Sequence, residues 1–220
     1  MGSEKRFEQV FSRLKLESKR WKSPFVTMTG GITHTPFTTL ISCLLSLRTK
    51  DAVTAKASLR LLKKHDTPEK LLKLPHTQIE DLIYPVGFYK TKARRIKEIC
   101  GILIENYGSK VPEDFDELLK LKGVGRKTAN IVMCYGFHGN DFLPIDTHAH
   151  RIPNRLGWVK TKTPEQTEEA LKKILPKNYW HDFNDLFVRF GQNICVPVSP
   201  FCSRCPIERY CMKVGVERHR

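Results

Sequence analysis

The spacing of apolar side chains along the chain predicts helices. Two stretches repeat at the i, i+3, i+4 intervals of a buried helix face: Leu40, Ile41, Leu44 and Leu45 in the first, and Ile96, Ile99, Cys100, Leu103 and Tyr107 in the second. Threonine followed by proline marks two helix starts, at Thr67-Pro68 and Thr163-Pro164. No alternation of apolar and polar residues is long enough to predict a sheet. We therefore predict an all-α fold.

The chain has a large excess of basic residues. Lys and Arg outnumber Asp and Glu by 38 to 23, which gives a net charge of +15. Such an excess favours a polyanionic partner, because it attracts the partner at long range and binding releases counterions. A basic surface without such a partner is the alternative.

We expect no membrane span, because no apolar run is long enough. The charged N-terminal segment lacks the apolar core of a signal peptide, so we expect an intracellular protein.

The segment 118–137, LLKLKGVGRKTANIVMCYGF, contains two apolar helical runs separated by GVG. Gly123 can end the first helix in the left-handed conformation, and Val124 can enter the core. Gly125 lets another molecule approach the backbone where the second helix begins, near Lys127, and the free N–H groups there can bind a phosphate. The pattern predicts a helix-hairpin-helix DNA-binding motif. An ordinary glycine turn between helices is the alternative.

Lys127 follows Arg126 at the start of the second predicted helix. Its ammonium can contact a phosphate, or its uncharged amine can attack a carbonyl-like carbon and form a Schiff base. The second role needs a pKa below the usual ~10.4, and a helix N-terminus and partial burial both lower the pKa of a lysine. Asp146 can cap the next helix, or it can accept a proton from Lys127 and stabilise a cationic sugar. The presence of both residues favours the nucleophile.

Four of the seven cysteines lie close together with the spacing C-x6-C-x2-C-x5-C: Cys195, Cys202, Cys205 and Cys211. An odd total in an intracellular chain argues against disulfides. Four thiolates suit zinc or a [4Fe–4S] cluster, and sulfur chemistry alone does not distinguish them. The other three, Cys43, Cys100 and Cys134, lie in apolar stretches and are predicted to be core residues.

Together these motifs resemble the endonuclease III family of DNA glycosylases, from about Phe37 to Met212. GVGRKTAN matches the family's hairpin and catalytic lysine, IDTHAHRIPNRLG matches the segment with its catalytic aspartate, and the cysteine spacing matches its [4Fe–4S] ligands. LLSLRTKD and VGFYKTKARRI also look like family segments. The resemblance implies that Lys127 and Asp146 are catalytic and that Cys195, Cys202, Cys205 and Cys211 hold a [4Fe–4S] cluster.

The resemblance also implies a helix-hairpin-helix glycosylase fold. A six-helix domain would span residues 30–140, and residues 1–29 and 141–220 would form an iron–sulfur cluster domain. The implied partner is double-stranded DNA with damaged bases or abasic sites, bound by a monomer in the cleft between the domains. Such an enzyme would work in the cytoplasm at the nucleoid, or in the nucleus of a eukaryote.

The implied reaction is base excision by a bifunctional DNA N-glycosylase and abasic-site lyase. The damaged base, an oxidised pyrimidine, would be flipped out of the duplex and removed. The strand would then be cut 3′ to the lesion by β-elimination. Gly123, Gly125 and Arg126 of the hairpin would contact the DNA.

Two loops match those that fill the gap left by a flipped nucleotide, and they carry Arg48 and Phe88. Bacterial relatives have glutamine and leucine there, so the lesion preference stays open. Phe88 can wedge between bases or be a core residue, and Arg48 can hydrogen-bond to the orphaned base. Lys90 and Lys92, in a basic segment, are expected to contact flanking phosphates, with a solvated helix face as the alternative.

Two other functions remain open. A mismatch glycosylase acting on thymine or uracil opposite guanine is favoured by Arg48. A non-catalytic DNA-binding or redox-sensing protein would need neither Lys127 nor Asp146.

We expect His148 and His150 to pack or form hydrogen bonds, because no nearby carboxylates have the spacing of metal ligands.

Overall fold

A computed structural model describes residues 3–21 and 32–220, and these ranges contain helices and no β-strand. The all-α prediction is therefore confirmed. The α-helices of the described residues are α1 Ser3–Ser18, α2 Pro36–Ser46, α3 Asp51–Leu62, α4 Pro68–Leu72, α5 His76–Ile83, α6 Tyr89–Tyr107, α7 Phe115–Lys120, α8 Arg126–Ile131, α9 Thr147–Leu156, α10 Pro164–Ile174 and α11 Trp180–Asn193. A π-helical turn, Val132–Gly136, continues α8. None of the described helices is long and apolar enough to cross a membrane.

The chain divides into two compact units. Unit A, as we call it, is Phe25–Phe142 and contains α2 to α8; unit B is Met1–Pro24 with Leu143–Arg220 and contains α1 and α9 to α11. The expected division between residues 29 and 30 lies outside the described residues. The second division comes before Leu143, close to the expected residue 141.

Unit A is built around α2 and α6. Thr35 caps α2 by accepting a hydrogen bond from the Thr38 backbone N–H, and Pro36 occupies the first turn. The apolar stripe of α6 is buried in one core with α2, and Val124 of the hairpin joins that core. Burying each large apolar side chain contributes about 1.5–3 kcal/mol, so this core fixes both helices. All three cysteines predicted to be core residues are buried.

Unit B has an aromatic core to which α1 contributes. Phe183 and Phe187 of α11 stack with their ring centroids 4.2 Å apart, and Phe11 of α1 lies 5.8 Å from Phe187. An ion pair of 2.5 Å joins Lys15 to Asp182. The first helix of the chain therefore completes the core of its C-terminal part.

Candidate functional site

The predicted hairpin is present as α7, a tight turn and α8. The first helix ends at Lys120, before the predicted Gly123, and the Leu121 carbonyl then accepts a hydrogen bond of 2.9 Å from the Val124 N–H. Gly123 has a φ of +89°, which suits the third position of a type II turn and is strained for other residues. Gly125 then precedes the first residue of α8.

The two hairpin glycines are needed for different reasons. A Cβ atom on Gly123 would lie 2.5 Å from Nη1 of Arg95, because that side chain of α6 crosses the turn there. A Cβ atom on Gly125 would have no atom of the described residues within 4 Å. Gly125 therefore leaves space in front of the N-terminus of α8, where none of the described side chains caps the helix. Backbone N–H groups of a first helical turn lack acceptors within the helix, so this end can bind an anion.

Lys127 lies in the first turn of α8 with an exposed side chain. Its charge acts on the buried thiol of Cys43: burial raises the pKa of that thiol to about 12, and the positive charge of Lys127 opposes the rise. Arg126 is exposed, and its guanidinium lies 5.5 Å from the centroid of the Phe115 ring. An exposed lysine at the positive end of a helix has the access that a nucleophile needs.

Asp146 caps α9. One of its carboxylate oxygens, Oδ1, accepts hydrogen bonds from the backbone N–H groups of His148 at 2.9 Å and Ala149 at 2.8 Å. The capping role is therefore observed, and it holds the partly exposed carboxylate in one orientation. The catalytic role stays a prediction. Asp146 belongs to unit B and Lys127 to unit A.

The two histidines after Asp146 have hydrogen-bonding roles. Nδ1 of His148 lies 3.0 Å from an Nη atom of Arg151, and the ring packs against Gly191 so closely that a Cβ atom there would be 2.3 Å from it. Nδ1 of His150 lies 2.6 Å from Oγ1 of Thr167. These contacts join α9 to α10 and α11.

The structure brings Arg48 and Phe88 together. Both side chains are exposed, Phe88 at 63%, and the Arg48 guanidinium lies 5.8 Å from the centroid of the Phe88 ring. The alternative interpretation, in which Phe88 is a core residue, is therefore wrong. Both residues have positive φ angles, 52° and 58°, and each such conformation costs about 1–2 kcal/mol for a residue with a side chain.

Lys92 is buried, whereas the sequence predicted that it contacts a phosphate. Its side chain is only 8% exposed, and Nζ donates hydrogen bonds to the carbonyls of Leu45 at 2.8 Å and Leu47 at 2.5 Å and to Oγ1 of Thr49 at 3.1 Å. The predicted phosphate contact of Lys92 is therefore wrong: the ammonium already uses its three donors within the protein. Burial lowers the pKa of Lys92 to about 8. Lys90, by contrast, is exposed.

The four clustered cysteines line one cavity of unit B, together with apolar side chains such as Ile152 and Phe190. Burial raises the pKa values of three of the thiols, those of Cys202, Cys205 and Cys211, and the charges of neighbouring cysteines raise them further. Four thiolates in such a cavity would repel one another unless a bound cation compensated their charge. In the described ranges no three His, Cys, Asp or Glu side chains are arranged to hold a single metal ion.

Arg155 of α9 holds the loop that carries Cys195. Its Nη1 donates to the Val196 carbonyl at 2.7 Å and lies 3.4 Å from Sγ of Cys195, and its Nη2 donates to the Pro197 carbonyl at 2.6 Å. The backbone N–H of Lys213 points at Sγ of Cys211 from 3.3 Å. Hydrogen bonds to sulfur are typical of thiolates that ligate iron.

The structural roles of Lys92, Arg95 and Arg155 were not predicted from the sequence. A signal for Lys92 was available, because the apolar stripe of α6, continued four residues back from Ile96, falls on it. For Arg95 and Arg155 no local signal exists, since their partners are distant in sequence.

Comparisons with known proteins indicate one family. Residues 41–177 match the model of the HhH-GPD superfamily of base excision DNA repair proteins. The chain is 53% identical to Endonuclease III of Thermotoga maritima over 176 residues, 80% of this chain and 82% of that protein.

Two solved structures are similar over nearly the whole chain. One is a trapped covalent intermediate of endonuclease III and DNA, in an estranged-adenine complex, with a TM-score of 0.77 and 35% identity over 94% of this chain and 95% of that chain. The other is a thermostable thymine-DNA glycosylase, with a TM-score of 0.79 and 26% identity over 95% of this chain and 96% of that chain.

Proposed function

This chain belongs to the endonuclease III family of base excision DNA repair proteins, and on that premise we propose that Lys127 is the nucleophile of its reaction. The activity is that of a DNA glycosylase that also cleaves abasic sites. The observation that carries the assignment is the exposed side chain of Lys127 in the first turn of α8, two residues after Gly125 of the GVG turn.

The proposed chemistry begins with the damaged nucleotide outside the DNA helix. The amine of Lys127 attacks C1′, the glycosidic bond breaks, and the base leaves with the bonding electrons and takes up a proton. Opening of the sugar ring gives a Schiff base between C1′ and Lys127. Loss of a C2′ proton then expels the 3′ phosphate and cuts the strand. Asp146, oriented by two N–H groups of α9, accepts the proton of Lys127 and stabilises positive charge on the sugar.

Borohydride trapping tests the nucleophile. Wild-type protein on a duplex with an abasic site should give a covalent adduct, and Lys127→Gln should give none. Lys120→Gln is the matched control, because it removes the same charge from the preceding helix of the hairpin, where the side chain is exposed. Failure of the wild-type protein to form any adduct would exclude the Schiff base.

We propose that Cys195, Cys202, Cys205 and Cys211 hold a [4Fe–4S] cluster, the cofactor that the endonuclease III family carries. All four line one cavity, which supports a shared ligand. Each thiolate of a cluster binds a different iron, whereas four thiolates around zinc bind one atom, so the metal content distinguishes the two. These four partly buried thiolates would hold the cluster, which would compensate part of their negative charge and join the ends of the loop.

Iron and acid-labile sulfide analysis of the purified protein, with its visible absorbance, tests the cluster. We expect about four irons per chain. Cys202→Ala should lower the iron content, and Cys134→Ala, a buried cysteine of unit A, should leave it unchanged. One zinc per chain and a colourless protein would contradict the assignment.

The proposed DNA contacts are those that the exposed residues support. The N–H groups after Gly125 and the Arg126 side chain would bind phosphates, the turn at Gly123 would bring the backbone close, and Lys90 would contact a flanking phosphate. Arg48 and Phe88 would enter the gap left by the flipped nucleotide, Phe88 as an apolar wedge and Arg48 as a donor to the orphaned base. Their exposure and mutual contact support this pairing.

We propose oxidised pyrimidines as the substrates. A mismatch glycosylase acting on thymine or uracil opposite guanine is a second candidate, supported by Arg48 and by the similarity to a thymine-DNA glycosylase. Excision assays on duplexes with thymine glycol, uracil opposite guanine and thymine opposite guanine separate the two. Activity on the mismatches alone would overturn the first candidate.

The proposed enzyme acts as a monomer on genomic DNA, at the nucleoid or in a eukaryotic nucleus. Light scattering should give the mass of one chain, 25.5 kDa.

A further inference from the structure

The buried ammonium of Lys92 holds a loop that it does not belong to. Lys92 lies in the first turn of α6, and all three of its acceptors, the carbonyls of Leu45 and Leu47 and Oγ1 of Thr49, come from the end of α2 and the residues after it. A lysine ammonium has three N–H donors, so the buried charge is fully hydrogen-bonded. The cation is therefore a fixed link between the start of α6 and the loop of Arg48.

Thr49 extends the link to the loop of Phe88. Its Oγ1, which accepts from Lys92, also accepts from the backbone N–H of Gly87 at 3.1 Å. The two backbones touch here, because a Cβ atom on Gly87 would lie 2.6 Å from the Arg48 carbonyl oxygen. The Arg48 and Phe88 loops are thus packed together at the backbone as well as through their side chains.

The backbone conformations of both loops need such support. Arg48 and Phe88 have positive φ angles, which residues with side chains adopt only where their surroundings impose them. Both side chains are exposed and provide little anchorage of their own. The two loops are instead joined by the contacts of Lys92, which is buried, with Thr49 and of Thr49 with Gly87, both of which are partly buried.

We infer that Lys92 is a positioning residue, whose ammonium fixes the Arg48 and Phe88 loops as one preformed element that enters the DNA when the damaged nucleotide leaves. The inference rests on the proposed gap-filling role of Arg48 and Phe88. A preformed element needs no ordering at the moment of base flipping, so it lowers the barrier to flipping and strengthens the flipped complex. The chemical step at Lys127 does not require it.

A double-mutant cycle tests the coupling. Base flipping is followed by the fluorescence of 2-aminopurine placed opposite a tetrahydrofuran abasic analogue, and affinity is measured on the same duplex. Lys92→Met, which keeps the length and loses the donors, should weaken binding and slow flipping roughly tenfold, as expected for the loss of a charged hydrogen bond. In an Arg48→Ala/Phe88→Ala background, Lys92→Met should add less than about twofold. Lys92→Arg, which keeps the charge, should restore part of the loss.

Two further variants separate positioning from general destabilisation. Lys97→Met removes another lysine of α6, whose Nζ donates to the Leu74 carbonyl at 2.7 Å on a different side, and its effect should be the same in both backgrounds. Thr49→Val removes the shared acceptor at a partly exposed site and should reproduce the Lys92→Met effect more weakly even if Lys92→Met does not fold.

The outcomes distinguish the two proposals. If Arg48→Ala/Phe88→Ala alone leaves flipping unchanged, the gap-filling role fails and the inference falls with it. If that variant is impaired but Lys92→Met and Thr49→Val flip normally, only the inference is overturned. A Lys92→Met effect that persists in full in the double-alanine background would also overturn it, because Lys92 would then act elsewhere.

Discussion

Lys90 and Lys92 lie two positions apart in one basic segment, but the geometry of α6 gives them opposite environments. Side chains two positions apart on a helix face different directions, so Lys90 is exposed while Lys92 joins the buried side. The cost of burying Lys92 is offset by its three hydrogen bonds. Counting charges along the segment treats the two lysines alike, and only their helical phase separates them.

The environment of Lys92 predicts a pH-dependent stability. Burial lowers its pKa from 10.5 to about 8, so between these values the unfolded chain holds a proton at this residue that the folded chain has released. The free energy of unfolding therefore rises with pH in this window and is independent of Lys92 below it. Between pH 8 and 10, the free energy of unfolding of the wild-type protein, measured in urea, should rise relative to that of Lys92→Met by up to about 1.4 kcal/mol per pH unit.

Lys90→Met is the control for this measurement. Lys90 is exposed in the wild-type protein, so the difference in free energy of unfolding between Lys90→Met and wild type should not change over the same pH range. If the difference in free energy of unfolding between the wild-type protein and Lys92→Met is also independent of pH, the ammonium is not buried in solution.

Asp146 combines a structural role that is observed with a catalytic role that is proposed, and two substitutions separate them. Asparagine is as good an N-cap as aspartate, so Asp146→Asn should keep the stability of α9 while it removes the carboxylate. Asp146→Ala should lose about 1 kcal/mol of stability as well. We expect both variants to lose turnover about equally, at least 100-fold, with little change in affinity for abasic-site DNA. Loss of binding in Asp146→Asn would point to a structural role alone.

At the scale of elements, the hairpin shows how a turn of five residues serves both packing and function. Val124 is buried between two glycines, and this anchors the turn to the core of unit A. The sequence predicted the two helices, the turn and the burial of Val124. It placed the end of the first helix at Gly123, whereas α7 ends at Lys120, because the turn itself uses Leu121 to Val124.

Alanine substitutions at the two hairpin glycines should have different effects: a loss of stability at Gly123 and a loss of DNA binding at Gly125. Gly123→Ala should destabilise the protein by about 1–2 kcal/mol, because of its φ of +89° and the nearby Arg95 side chain. Gly125→Ala should change stability by less than about 0.5 kcal/mol, since its Cβ atom meets open space, but it should weaken DNA binding by obstructing the N-terminus of α8. Urea unfolding and DNA titration of both variants check this pair; equal stability losses would contradict it.

At the scale of the whole molecule, the net charge of +15 predicts salt-sensitive DNA binding. Each phosphate contact adds about 0.9 to the slope of log affinity against log salt concentration. Lys90→Gln should therefore make the slope shallower by about one and weaken binding to damaged and undamaged duplexes alike. Lys173→Gln, an exposed lysine of α10, makes the same change in net charge and should leave the slope unchanged. Equal slopes for both variants would show that overall charge, not a contact of Lys90, governs binding.

The all-α class, the family and the chemistry-bearing motifs can be inferred from the sequence alone, because each depends on residues that are close together in the chain: the period of apolar positions, the GVG turn before Lys127 and the spacing of four cysteines. Which side chains are accessible to DNA depends on the tertiary structure. Lys92 was predicted to contact a phosphate, but in the structure it is buried and links two loops. For Phe88 a core position was the alternative to a DNA contact, and the structure shows that its side chain is exposed. The period of apolar positions in α6 indicates that Lys92 is buried, but it does not identify the hydrogen-bond partner Leu45, which is far away in the sequence. The close approach of Arg95 to Gly123 likewise joins residues that only folding brings together, and no local pattern encodes it.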